Sequence, residues 1–253
     1  MSSILDSPFI VFAVFLAAQW LAAYCGDLFR RRVHRLRKDE LTDFDKIQAA
    51  ALTLLALIIG FTFSMAVTRY DQRKNYEAAE ANAIGTEYVR AELLPADDAA
   101  KVHQLLQDYL TQRIAYYESR DQRPTGEPDA DAAKLQAALW SAILHPAQNQ
   151  PTPVIALTVW GMNDVLNAQS YTQAAWWNRI PVAAWALMGL IAISCNMMLG
   201  FGERRGGLLL LLVLPVIVSV SFMLIADIDS PHGGVIRVLP HNLIALSRSM
   251  KAQ

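Results

Sequence analysis

The chain holds 253 residues, 54% of them apolar and only 18% charged, with a net charge of −1. A balance this close to zero gives no footing for nucleic-acid binding, and two cysteines without a partnering His or Cys at ligand spacing do not make a disulfide framework or a metal site. The composition lies between a soluble globule and a polytopic membrane protein, so the placement of the apolar residues decides the class.

They gather into four runs of bilayer-spanning length, at about 8–29, 47–69, 180–201 and 208–227. The last, LLLLLVLPVIVSVSFMLIA, is apolar all round, and a soluble domain of this size has no interior to hide several such helices. The sequence therefore predicts an all-α membrane protein with four transmembrane helices. The first run lacks the basic residue that precedes a signal peptide's apolar core, and Tyr24 just before Cys25 argues against lipoprotein processing. It is expected to stay as a membrane helix. Cys25 and Cys195 both fall at membrane helices and are expected as two buried thiols.

The connection 30–46 carries Arg30, Arg31, Arg32, Arg35, Arg37, Lys38 and Lys46, and the turn between the last two spans carries Arg204 and Arg205. Short basic loops stay on the cytoplasmic side. Residues 70–176 and the C-terminus are then expected in the periplasm of a bacterium, with the protein in the inner membrane. Expected domain bounds are 1–69 for the first membrane pair, 70–176 for a helical extramembrane domain, 177–227 for the second pair and 228–253 for a tail.

The second span has no proline before Pro95 and runs into a charged, helix-forming stretch, Arg69 to Leu94, so one long helix is expected to leave the bilayer and continue into water. Asp97 or Asp98 is expected to cap the next helix, whose apolar stripe is Val102, Leu105, Leu106, Tyr109, Leu110 and Ile114. Residues 121–130 read as a loop. A third helix carries Leu135, Leu139, Trp140 and Ile143 and ends near Pro146. A fourth, from about Val154 to Ala175, carries Leu157, Trp160, Val165 and Leu166. No stretch alternates with period two, so no sheet is expected, and the small bundle's apolar faces are expected to pack partly against neighbouring subunits. Trp176 and Trp177 stand at a span boundary, as an interfacial belt requires.

Chemistry-bearing constellations are scarce. There is no Ser-His-Asp elbow, phosphate loop or metal-binding His pair, and the five histidines scatter over loops and helix ends. Enzyme activity and a cofactor are not expected. Glu77, Glu80 and Glu87, with Arg73 nearby, are accounted for by ion pairs along one helix.

In the second span Thr53, Leu57, Gly60, Ser64 and Val67 or Thr68 share one stripe, flanked by Phe61 and Phe63. Small residues let helices approach closely, so this is a packing seam, or it lines a pore in which Leu57 and Phe61 form an apolar constriction that gates by dewetting.

Residues 60–86, GFTFSMAVTRYDQRKNYEAAEANAIGT, resemble the signature of a bacterial membrane family described as bestrophin-like and of unknown function. Residues 227–250, DIDSPHGGVIRVLPHNLIALSRSM, resemble its C-terminal motif, with an acidic pair, a proline and a glycine turn before Ile236-Arg237. Together with the four-span order and helical insert, the resemblance covers nearly the whole chain. Bestrophin channels proper are more distantly similar. Their Gly-Phe, aromatic-Asp-x-Arg and acidic-Ala signatures have counterparts in Gly60-Phe61, Tyr70-Asp71-Gln72-Arg73, and Glu77-Ala78 or Glu80-Ala81.

The resemblance implies a pentameric, chloride-type channel whose second helix lines an apolar neck. Thr53, Leu57, Gly60, Phe61, Ser64 and Thr68 become the pore-lining candidates. Arg69 and Arg73 become cations at the mouth, Arg73 being equally placed to partner Asp71 or Glu77. Asp227 and Asp229 are expected to pair with Arg69 or Arg73, a bound cation being the alternative for the two aspartates. Two features depart from bestrophins: the basic loops place the helical domain outside, and the aromatic pair after their aspartate is missing. The implied partners are further copies of the chain, the lipid bilayer and inorganic anions. The competing expectation is a non-conducting periplasmic sensor or scaffold that passes domain movements into the membrane.

Overall fold

The computed structural model describes residues 7–32, 38–119, 130–202, 210–231 and 233–252. Among them all regular structure is helical: α1 (Pro8–Arg32), α2 (Lys38–Arg90), a 3-10 turn (Ala91–Leu93), α3 (Ala96–Glu118), α4 (Ala130–Asn149), α5 (Pro153–Trp177), α6 (Val182–Gly202), α7 (Leu210–Asp229) and α8 (His241–Lys251). Stretches within Pro8–Arg32, Thr42–Leu93, Pro153–Gly202 and Leu212–Asp229 are long and apolar enough to cross a membrane.

Local chemistry explains the ends. Pro95 cannot extend α2, and the chain tightens into the 3-10 turn just before it. Thr152 caps α5, its hydroxyl accepting from Ile155 N at 3.2 Å, with Pro153 in the first turn. At α3 the capping position is Pro95, whose ring offers no hydrogen-bond acceptor. Asp97 and Asp98 lie inside the first turn, where negative charge still faces the positive end of the helix dipole.

The expected loop 30–46 is largely helical, because α1 runs on to Arg32 and α2 starts at Lys38. Arg30 and Arg31 fold back onto Asp27 at 2.6 and 2.8 Å. Arg35, Arg37, Arg204, Arg205 and nearly all of the expected loop 121–130 lie outside the described residues. Pro146 is held inside α4, which continues to Asn149 instead of stopping at the proline.

The chain divides into two compact units. The first comprises Met1–Thr68 and Arg179–Arg237, the second Arg69–Asn178 and Val238–Gln253. In the first, α1 and α6 approach so closely that a Cβ on Gly26 would lie 2.0 Å from the Met197 carbonyl oxygen, and one on Gly200 would lie 1.9 Å from that of Ala23. With lipid on the outside, such backbone contact supplies helix association that the hydrophobic effect does not. A buried polar chain adds to it: Gln19 Nε2 donates to Ser219 Oγ (3.0 Å) and Asn196 Nδ2 donates to Gln19 Oε1 (2.9 Å), joining α1, α6 and α7. Gly200→Ala is expected to lower stability by about 1–3 kcal/mol, because neither backbone can yield without repacking; thermal unfolding of the detergent-solubilised protein checks it. Cys195 is buried, whereas Cys25, expected to be buried, is exposed; neither forms a disulfide.

The second unit packs α3, α4 and α5 with the later part of α2 and with α8 around Ile84, Leu106, Tyr109, Leu139, Met162 and Leu243. On α3 the buried stripe is Val102, Leu106, Tyr109 and Leu110, as expected, with Leu105 and Ile114 half-buried. The face of α5 is rotated from expectation. Ile155, Thr158, Met162, Val165, Gln169 and Thr172 are inward, leaving Leu157 52% and Trp160 71% exposed. Trp176 is a core residue, its ring centroid 5.1 Å from that of Tyr116 and 5.2 Å from that of Tyr117, and only Trp177 keeps the exposure a belt residue needs. Within the expected tail, α8 is an ordered part of this core through Leu243 and Met250.

Candidate pore face and buried charge centre

In the first unit, Leu55, Thr62 and Ala66 turn α2 inward. On other faces of the helix Thr53, Leu57, Gly60, Phe61, Ser64 and Thr68 are all exposed. Thr53 Oγ1 donates to Ala49 O and Thr68 Oγ1 to Ser64 O, each at 2.9 Å, so these hydroxyls are turned onto their own helix and the face presents itself as weakly polar. A Cβ on Gly60 would meet nothing within 4 Å. An apolar groove of about 530 Å³ also runs between α2 (Leu55, Ile59, Phe63) and α7 (Leu214, Val218, Ile225).

Asp227 and Asp229 organise the exit of α7. Asp227 accepts from Val235 N at 2.7 Å and Ile236 N at 3.0 Å, closing a tight loop. A Cβ on Gly234 would sit 2.5 Å from Asp227 Oδ1, so only glycine fits there. Asp229 accepts from Ile180 N at 3.2 Å and lies 3.7 Å from Arg179 Nε. Arg237 is half-buried in the strandless segment that follows.

The charged residues of α2 in the second unit divide by face. Asp71 is exposed and Arg69 half-buried, while Arg73, Glu77, Glu80 and Glu87 are buried. The expected pairing along the helix is not what Glu77 and Glu80 do: both carboxylates engage other helices. A carboxylate on the core side of a helix has lost water and must be matched by donors there.

Glu77 accepts from Asn242 N at 2.9 Å, Leu243 N at 3.1 Å and Asn242 Nδ2 at 2.6 Å. It thus supplies the cap that Pro240 cannot offer to α8. Glu77→Ala is expected to cost about 1–3 kcal/mol and to free α8, seen as faster amide exchange at Asn242 and Leu243.

Glu80 is the hub. Arg113 Nε donates to Glu80 Oε1, and Arg113 Nη2 (3.3 Å), Tyr117 Oη (3.3 Å) and Thr172 Oγ1 (3.2 Å) donate to Glu80 Oε2, tying α2 to α3 and α5. The guanidinium also lies 4.7 Å from the Tyr116 ring centre. Burial works against the Arg113 charge, but Glu80 overcomes it and holds the pKa above its ordinary value; burial, reinforced by Glu80, raises that of Tyr117.

Sequence reasoning missed Arg113, Tyr117, Thr172 and Asn242 as partners. The signal available was Arg113 itself, which falls on the buried stripe of α3 between Leu110 and Tyr117.

Helices able to cross a bilayer, joined in sequence to a helical unit with a buried Glu80–Arg113 ion pair at its centre, define an all-helical membrane-protein class. The Bestrophin-like domain family matches residues 12–243, and the chain belongs to that family. Structures of a bacterial bestrophin homologue from Klebsiella pneumoniae share the fold. One variant gives a TM-score of 0.67 at 13% identity, covering 96% of this chain and 97% of that one. Another gives 0.67 at 14%, covering 97% and 99%, and the form phased on zinc gives 0.63 at 14%, covering 96% and 95%. No curated protein matches the sequence.

Proposed function

We propose that the protein is an oligomeric ion channel of the bacterial inner membrane, with the Thr53–Thr68 face of α2 turned to a shared axis. One observation carries the reading: all six residues of that face are exposed on the subunit, on a helix long and apolar enough to cross a membrane, so the face is free to meet further copies. Membership of the Bestrophin-like family supports it. Leu57 and Phe61 form the apolar neck, and Arg69 at the end of the face favours anions over cations. Five copies is the stoichiometry suggested by bestrophins. The basic connection 30–46 supports a periplasmic position for residues 70–176 and the C-terminus, since short basic loops stay on the cytoplasmic side.

The test is chloride flux from vesicles reconstituted with the full chain, together with images of the particle down the membrane normal. Flux and a central hole lined by α2 are expected. A lone subunit, or α2 at the lipid-facing rim, overturns the proposal.

The second reading, a non-conducting sensor or scaffold, draws on an open groove of about 700 Å³ between α2 (Ala81, Gly85, Val89) and α8 (Asn242, Leu246, Ser249). It requires zero flux together with a partner that co-purifies through residues 96–170.

A further inference from the structure

Glu87 differs from its neighbours on α2. It is fully buried, and neither carboxylate oxygen has a hydrogen-bond partner among the described residues. α5 crosses it through Gly161, where a Cβ would stand 1.9 Å from Glu87 Oε2 and 2.6 Å from Arg90 Nη1. The carboxyl is therefore roofed by bare backbone, an arrangement only glycine permits and one that offers no donor. An ionised carboxylate in such a place has lost its water and gained no hydrogen bond in return, only the nearby charge of Arg90; a neutral acid tolerates it.

The charged groups that face Glu87 are Arg90 on its own helix and Asp164 on α5. Arg90, Asp164, Asn82, Thr86 and Gly161 line a pocket of about 250 Å³ on this side of α2, an alternative place for the carboxylate to swing into. His103 on α3 is engaged elsewhere, with the carbonyl of Tyr88 at 2.8 Å and stacked on its ring.

We propose that Glu87 is a proton-operated latch: the neutral acid lets α5 close over it at Gly161, and ionisation drives the carboxylate toward Arg90 and loosens α5 from α2. Burial is the main cause that pushes its pKa up to about 8; Arg90 pulls it down and Asp164 adds to the rise. The sign follows. The closed form holds its proton more tightly than an open one with an ordinary carboxyl near 4.5. Closure is thus fully favoured below that ordinary value, weakens as pH climbs to about 8, and changes no further above it. The proposal is independent of conduction, because its readouts are structural.

The test follows amide exchange in residues 153–165 of the full chain in nanodiscs, corrected for the intrinsic effect of base. Local opening is expected to rise by about tenfold per pH unit between pH 6 and pH 8 and then level off. Glu87→Gln, which cannot ionise, is expected to stay closed and pH-independent, and Gly161→Ser to stay open throughout. Flat exchange in the unaltered protein, or a Glu87→Gln protein that keeps the transition, overturns the latch. If Glu87→Gln does not fold, the infrared band of a protonated carboxyl in the unaltered protein decides. It must titrate away near pH 8, and its absence at pH 6 overturns the proposal.

Discussion

Glu80→Ala is expected to destabilise the second unit by about 3–5 kcal/mol, the cost of leaving a buried charge without its partner. Arg113 is 1% exposed and Glu80 fully buried, so no water reaches the guanidinium once the carboxylate is gone. Tyr117 and Thr172 lose their acceptor in the same step. Thermal unfolding and protease sensitivity within Arg69–Asn178 measure the loss. Glu80→Leu combined with Arg113→Met removes both charges and is expected to recover most of it, since well-packed apolar replacements of a buried pair are commonly neutral or better. If Glu80→Ala and the pair were equally unstable, packing rather than charge would be the source. If Glu80→Ala were harmless, the hub would have no structural weight.

Features that depend on composition over many residues were legible in the sequence. The four apolar runs follow from a window average, and the unbroken α2 follows from the absence of proline between Ile47 and Pro95. The inward stripe of α3 follows from three-four spacing. Features that depend on what lies across the gap were not. Glu77, Glu80 and Glu87 share a face with Arg73, and their spacing is compatible both with mutual pairing in water and with burial against partners more than 30 residues away. Periodicity finds a face but does not say whether a polar face is wet. On α5, Leu157 and Trp160 promised an inward stripe, while Thr158, Gln169 and Thr172 take it because they serve Glu80, Tyr109 and their own helix. α8 was hidden by its length: 11 residues after a glycine-rich turn hold a helix only when capped and packed, and the cap is Glu77 from 165 positions away. The candidate pore face was legible as a stripe, but its orientation relative to other copies is not a property of one chain.

Leu57→Ala and Phe61→Ala are expected to raise chloride flux several-fold in reconstituted vesicles. An apolar constriction resists wetting, and shortening either side chain widens it. Both side chains project from the subunit, 52% and 66% exposed. The truncations therefore remove little packing within the subunit, and folding should change by less than about 0.5 kcal/mol. Gly60→Leu runs the other way. Its Cβ enters space that is open on the subunit, so the fold is expected to hold, and a fall in flux is expected from copies meeting beyond it. That combination, unchanged unfolding with flux moved in opposite directions by removing and adding apolar bulk, separates a neck from a packing seam. A seam would respond to Gly60→Leu by losing subunits and to Leu57→Ala by little at all. Flux that stays at zero for both truncations would remove the neck.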